Sequence, residues 1–210
     1  MPKQDRAVAT RASILQSAAL IFDDRGYAGT SLETVAERAG VTKGALYFHF
    51  ASKEDVANAV IAEQHRISRN YAEAAMTSSR SALEAMMLMC RGLAVQLLDE
   101  PLVSAGIRLT TDSSSRHLGV QAPYTDWMAT FENLLNVARD EGDVVADVDP
   151  AKVAHFIIPA YTGVQMLSDV MTRREDLFTR VQEMWLIILP GLVPPENLMG
   201  ARNLALRIRR

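Results

Sequence analysis

The chain has 210 residues, 49% of them hydrophobic and 22% charged, and its formal net charge at pH 7 is −3. This length exceeds the needs of one small domain, so we expect a sizeable core and a second domain. A single cysteine, Cys90, excludes an internal disulfide. Because the sequence has neither a signal-peptide pattern nor an apolar run long enough to span a bilayer, we expect a cytoplasmic protein with no membrane partner.

The charges are unevenly distributed. Residues 1–53 carry seven Lys and Arg against five Asp and Glu, whereas residues 54–210 carry fifteen against twenty. The N-terminal part is therefore expected to meet nucleic acid, and so small an excess means that individually placed cations must supply the phosphate contacts. Residues 2–11 contain three of these cations, Lys3, Arg6 and Arg11. This segment is either a basic arm, in which Arg6 and Arg11 contact DNA, or a frayed terminus.

A helix with apolar residues between positions 14 and 22 is followed by the stretch TSLETVAERAGVTKGALYFHFASK, residues 30–53. Thr30 and Glu33 form a capping box that starts a second helix, and Gly40 supplies the left-handed conformation that ends it. A third helix begins about three residues later, as a helix-turn-helix unit requires. The stretch therefore predicts a DNA-binding element.

In this third helix Leu46 and Phe50 lie four residues apart and are predicted to face inward. The outer surface then carries Lys43, Gly44, Tyr47, Phe48 and His49. Solubility explains exposed aromatic rings beside a lysine poorly, whereas a DNA groove offers base edges, thymine methyls and phosphates. Glycine costs about 1 kcal/mol relative to alanine inside a helix, and close approach to a partner would justify it. The alternative is a small helical hairpin whose aromatic residues belong to the core.

Helical spacing continues from Lys53 to about Ser78 without Gly or Pro, which predicts a helix roughly 36 Å long that can join two domains. Further helical patterns follow, and Pro159 is expected to kink one of them. The polar stretch at residues 110–123 lacks periodicity and is predicted to be a loop and a candidate for disorder. No strand pattern appears. We therefore predict an all-α fold with a three-helix DNA-binding domain at residues 1–52 and a ligand-binding and dimerisation domain at residues 53–210.

The second domain combines flexible methionines, aromatic rings and few charges, which indicates a pocket for a neutral, lipophilic small molecule. The candidate ligand-binding residues are Gln64, Met86, Met89, Cys90, Trp127, Phe131, Tyr161, Thr162 and Gln165. For each of these residues taken alone, the alternative is an ordinary core position. An enzyme is the rival class, but the four histidines are isolated and Cys90 has no local partner, so we expect no catalytic site, metal or cofactor.

The last two strong helical patterns, residues 150–171 and 175–189, are apolar over wide arcs. A homodimer would bury this surplus of apolar surface. The predicted interface residues are Val164, Leu167, Val181, Trp185 and Ile188.

The run VTKGALYFHFASKED closely resembles the recognition-helix signature of the TetR family of bacterial transcriptional repressors, and the resemblance extends back to Arg11. It implies a dimer that binds a pseudo-palindromic operator and whose last two long helices form a four-helix interface. The residue roles implied by the resemblance are base reading by Lys43 and Gly44, phosphate or base contacts by Tyr47 and His49, and phosphate clamping by Thr42 and Lys53.

Four more segments, KQDRAVATRASIL, PLVSAGIRL, PYTDW and HFIIPAYTGVQMLSD, are similar to the γ-butyrolactone autoregulator receptors of antibiotic-producing actinobacteria. This resemblance implies that Trp127 and Gln64 line the ligand pocket. A threonine often found in that subfamily is replaced here by Ala160, and Thr162 lies two positions away. Two effectors therefore stay open: a γ-butyrolactone, or an antibiotic or other lipophilic drug.

Overall fold

The structure is a computed structural model that describes residues 3–210, with only the backbone described for Lys3. Within these residues ten α-helices, one 3-10 turn and no strand occur, so the predicted all-α fold is confirmed. The helices are α1 Lys3–Arg25, α2 Leu32–Ala39, α3 Lys43–His49, α4 Lys53–Ser78, α5 Ala82–Asp99, α6 Pro101–Thr111, α7 Gln121–Asp140, α8 Pro150–Thr172, α9 Leu177–Leu192 and α10 Leu198–Ala205.

The chain divides into two compact units. The N-terminal unit comprises the residues up to Ser68 together with Gln96–Ala122, and the C-terminal unit comprises Arg69–Val95 and Pro123–Arg210. The predicted boundary after residue 52 falls inside the N-terminal unit, because the first part of α4 and all of α6 pack around α1 to α3.

The core of the N-terminal unit includes buried residues from α1, α2, α3, α4 and α6, among them Phe22, Val35, Leu46, Val60 and Leu109. Leu118, from the stretch predicted as a candidate for disorder, also lies in this core. The same stretch contains the 3-10 turn Ser113–Ser115, and the Ser115 hydroxyl donates a hydrogen bond to the Leu109 carbonyl at 2.5 Å. The polar composition of the stretch gives no indication of these contacts with the core.

The helix-turn-helix unit forms as predicted, with one shift in register. Ser31, not Thr30, caps α2, and its hydroxyl accepts from the Thr34 N–H. Thr30 is buried and donates to the Gly26 carbonyl at 2.8 Å. Gly40 ends α2 with φ +66°, in the left-handed region that favours glycine. Thr42 caps α3 by accepting from the Ala45 N–H at 3.2 Å.

In the C-terminal unit α8 packs against α9, and α10 covers part of α9. The Tyr161 hydroxyl donates to the Cys90 carbonyl at 3.0 Å, and Trp185 is fully buried. Burial raises the pKa of the Cys90 thiol to about 12, so the thiol stays protonated at physiological pH. α9 continues past Pro190, where the sequence predicted its end, to Leu192. Within residues 3–210, no helix is both long enough and apolar enough to cross a bilayer.

At Gly106, α6 passes close to α4. A Cβ at this position would clash with the Gln64 side chain and lie 2.6 Å from its Cγ. Gly106→Ala should therefore lower the free energy of unfolding by roughly 1–3 kcal/mol, measured by chemical denaturation. Gly200→Ala is the matched control, because a Cβ there meets no atom within 4 Å and should stabilise α10 by up to about 1 kcal/mol. Equal stability of the two variants would contradict this account of the contact.

Candidate functional site

The outer face of α3 presents an unusual set of side chains. Lys43, Tyr47 and Phe48 are exposed, and the Phe48 side chain is 80% accessible. Leu46 and Phe50 are buried, which confirms the predicted inner face of this helix. Most of the apolar surface of Phe48 is therefore not buried within the N-terminal unit.

Gly44 lies on the same exposed face. A Cβ at this position would meet only the Thr42 hydroxyl, at 4.0 Å. No packing contact within the described residues therefore requires a glycine here, although glycine weakens a helix. An external partner that approaches the backbone closely would account for it.

Lys43 forms an ion pair across the turn. Its Nζ lies 3.1 Å from Oε1 of Glu33 in the first turn of α2, and both side chains stay more than half exposed. A hydrogen bond from its own backbone N–H and the bond from Lys43 hold the pKa of the Glu33 carboxyl below its ordinary value. The sequence assigned Glu33 only a capping role, because nothing in local spacing indicates a contact over ten residues.

Lys53 occupies a different environment from the one predicted. Its Nζ donates to the carbonyls of Tyr27 and Thr30, at 3.0 and 3.1 Å, and lies 4.2 Å from the centre of the Tyr27 ring. The ammonium therefore fastens the start of α4 to the loop between α1 and α2. Thr42, the other predicted phosphate clamp, uses its hydroxyl as the cap of α3.

Tyr27 is a structural contact point of the N-terminal unit that the sequence did not predict. Its N–H donates to the Asp112 carboxylate at 3.3 Å, and its hydroxyl lies 3.2 Å from Nε2 of His117. Together with Lys53, these contacts join three segments of the N-terminal unit at one residue: the loop between α1 and α2, the start of α4 and the loop after α6. An aromatic residue in the short segment from Gly26 to Gly29 was the only sign of these contacts in the sequence.

The predicted basic arm begins at Pro2, which lies outside the described residues. From Lys3 onward the segment is helical, so Arg6 and Arg11 are exposed side chains of α1 and do not lie on a flexible arm. Basic composition misled the prediction, because arginine, lysine and alanine are also good helix formers. The Arg11 guanidinium lies 5.1 Å from the centre of the Phe50 ring.

Among the ligand-binding candidates, Gln64 belongs to a buried polar chain in the N-terminal unit. Its amide nitrogen donates to the Ser68 hydroxyl at 3.1 Å, and that hydroxyl donates to Oε1 of Gln96 at 2.9 Å. Oε1 of Gln64 is buried and has no hydrogen-bond partner within the described residues.

The other ligand-binding candidates belong to the C-terminal unit. The buried ones are Met86, Met89, Cys90, Phe131, Tyr161 and Gln165. Thr162 and Trp127 are partly exposed, and the Thr162 hydroxyl donates to the Ile158 carbonyl at 2.9 Å. No group of three His, Cys, Asp or Glu side chains suited to a metal ion occurs among residues 3–210.

Trp127 lies beside a cation on α4. The Arg69 guanidinium is 5.8 Å from the centre of the Trp127 ring, donates to the Thr130 hydroxyl at 3.0 Å and lies 3.5 Å from the Asp126 carboxylate. Three residues of α7 therefore hold one side chain of α4. The sequence indicated Trp127 but not Arg69.

An open apolar groove of about 430 Å³ runs along α8 and α9. Its lining includes Phe156, Val164, Leu167, Met171, Ile187 and Ile188. Val181 and Trp185 were predicted to contact a second copy, but both are fully buried within the protomer and have no surface to offer. They pack in the core of the C-terminal unit because that side of α9 faces its own chain.

Two family models match the chain. Residues 14–60 match the bacterial regulatory proteins of the tetR family, and residues 80–194 match the tetracyclin repressor-like C-terminal domain. The chain belongs to the TetR family of transcriptional regulators. The resemblance inferred from the recognition-helix signature is thereby confirmed.

Relatives of this TetR-family chain include the A-factor receptor protein of Streptomyces griseus, which is 37% identical over 195 residues, or 93% of this chain and 68% of the relative. A solved γ-butyrolactone receptor, an ArpA-like protein, is 39% identical with a TM-score of 0.82 over 97% of this chain and 98% of the other. CprB from Streptomyces coelicolor, in complex with its biological operator sequence, is 36% identical with a TM-score of 0.84 over 98% of each chain.

The open space around Gly44 predicts that one substitution will raise the stability of the protein and lower its affinity for DNA. Gly44→Ala should raise the free energy of unfolding by up to about 1 kcal/mol, because alanine favours the helix and meets no obstacle. The same variant should bind operator DNA more weakly, because its methyl group would stand on the face that is predicted to approach the groove. Denaturation and fluorescence titration with a duplex measure the two effects, and unchanged DNA affinity would remove Gly44 from the interface.

Proposed function

We propose that the protein is a transcriptional repressor that binds a pseudo-palindromic operator as a homodimer and leaves it when a small lipophilic effector binds. The observation that carries this proposal is the outer face of α3, where Lys43, Tyr47 and an internally unnecessary glycine are exposed together. Family membership and the operator-bound relative support it. The site of action is the cytoplasm, where the operator lies.

Each protomer brings one recognition helix to the DNA. Half-sites read from one face of B-DNA lie about 34 Å apart or a multiple of that distance, so the spacing of the two α3 helices decides whether the dimer fits. Lys43, Gly44, Tyr47, Phe48 and His49 supply the groove contacts. Arg6 and Arg11 on α1 supply cations for the flanking backbone, whereas Lys53 acts by positioning α4.

The second copy of the chain covers the groove on α8 and α9. Ile187 and Val170 are 78% and 82% exposed in the protomer, and such apolar surface is unusual on helices that stay in water. A Cβ at Gly163 would meet no atom within 4 Å in the protomer, which leaves room for a close approach by another helix. We assign Val164, Leu167 and Ile188 to the interface, as the sequence predicted, and add Phe156 and Ile187.

Placing a charge in this groove should separate the protomers. Leu167→Glu and Ile187→Glu should each sediment as a folded monomer, because a lone carboxylate cannot be buried against an apolar partner without a large desolvation cost. Met199→Glu on α10 is the control, since Met199 is exposed outside the groove, and it should stay dimeric. A wild-type protein that sediments as a monomer at micromolar concentration would refute the interface.

The effector is proposed to act through Trp127. A ligand that stacks on this ring competes with the Arg69 guanidinium beside it, and Arg69 belongs to α4. At the other end of the same continuous helix, Lys53 fixes α4 to the loop that precedes the helix-turn-helix unit. A displacement of α4 is thus felt by the element that binds DNA.

The relatives favour a γ-butyrolactone as the effector. An antibiotic or its precursor is the second candidate, because Thr162 has moved from the position usual in that subfamily.

The test begins with a duplex selected by the wild-type protein from a random library. A panel of butyrolactones, butenolides, furans and antibiotics is then screened for release of that duplex. By thermodynamic reciprocity, DNA should weaken effector binding by the factor with which the effector weakens DNA binding, typically about 5- to 150-fold.

Trp127→Ala should bind the operator like the wild type but resist the effector. Val137→Ala, an exposed position on the same helix, is the control and should respond normally. If Trp127→Ala is released at the wild-type effector concentration, the effector site lies elsewhere.

A further inference from the structure

The ion pair between Glu33 and Lys43 is not explained by stability. It joins the first turn of α2 to the first residue of α3, and both side chains remain more than half exposed. Exposed ion pairs of this kind contribute only about 0–1 kcal/mol to folding. A lysine at the start of a helix also opposes the helix dipole. The pair does, however, present a donor beside an acceptor at the start of the recognition helix.

This arrangement matches one pattern in the major groove. Guanine offers the acceptors N7 and O6, and its partner cytosine offers the N4 amino donor next to O6. The O6 and N4 atoms of a base pair are themselves about 2.9 Å apart, since a hydrogen bond joins them. The Nζ of Lys43 and Oε1 of Glu33 are 3.1 Å apart, which is nearly the same spacing.

We propose that Glu33 is a specificity-determining residue, which together with Lys43 reads one G·C base pair in each half-site. Lys43 donates to guanine N7 and O6, and Glu33 accepts from the cytosine N4 amino group. An ammonium has three donors and a carboxylate about four acceptor sites, so the bond between them leaves both groups able to contact the bases. The inference rests on the proposed function as a DNA-binding regulator.

An A·T pair fits this donor and acceptor pair less well. Adenine offers one acceptor and one donor, so Lys43 loses one of its two bonds, and the thymine O4 acceptor then faces the Glu33 carboxylate without a donor between them. A reversed C·G pair would place the amino group against the ammonium. The ion pair therefore rejects these alternatives as well as accepting G·C.

Selection from a randomised duplex library, followed by sequencing, tests the proposal with four proteins. The wild type should enrich a palindrome with a G·C pair at one fixed position of each half-site. Glu33→Gln should lose roughly tenfold in discrimination at that position, because an amide can present either a donor or an acceptor. Lys43→Ala should lose the preference for guanine at the same position.

Glu37→Gln is the matched control. It removes the same charge from the same helix, at an exposed position for which no ion pair with Lys43 is formed, and should keep the wild-type base preferences. Thermal denaturation of all variants confirms that each is folded.

The outcomes distinguish a failure of the proposed function from a failure of the role assigned to Glu33. If the wild type enriches no palindrome, the proposed function itself fails. If the wild type enriches a palindrome but Glu33→Gln selects the same bases, or an A·T pair stands at the position that Lys43→Ala alters, only the assignment of Glu33 is overturned. Equal strengthening of all DNA binding by Glu33→Gln would likewise overturn it, because Glu33 would then act as a repelling charge alone.

Discussion

The bonds of the Lys53 ammonium to two backbone carbonyls are the constraint on which the N-terminal unit depends. Three parts of the chain meet at this ammonium: the segment after α1, the segment before α2 and the start of α4. Backbone carbonyls in a loop need donors once they leave water, and a lysine supplies several from one atom. With this point fixed, the start of α4 is held to the loop that precedes the helix-turn-helix unit.

Local patterns in the sequence predicted much of this architecture. The bounds of α4, the cap at Thr42, the left-handed Gly40 and the inner face formed by Leu46 and Phe50 all follow from interactions within four residues. Such interactions leave a periodic trace in the chain. They explain why the sequence alone predicts the fold class and the DNA-binding element.

Contacts between distant residues left no such trace. Lys53 meets carbonyls more than twenty residues away, and Leu118 reaches the core from a polar loop. Trp185 lies on a wide apolar arc of α9, as expected, and is buried in its own protomer. Periodicity does not show which part of such an arc packs in the core of its own chain and which part packs against a second copy. Hydrophobicity predicts that a residue is buried, whereas packing determines whether it is buried in its own chain or against a second copy.

The protonated, inaccessible thiol of Cys90 has a practical consequence. Cys90 is the chain's single cysteine. Maleimides and methanethiosulfonates react with thiolates and not with thiols, so the native side chain should not react with these reagents. A cysteine introduced on the surface of α3 would then be the one reactive thiol of each protomer. Spin labels attached there would measure directly, in a dimer, how far apart the two recognition helices stand with and without an effector.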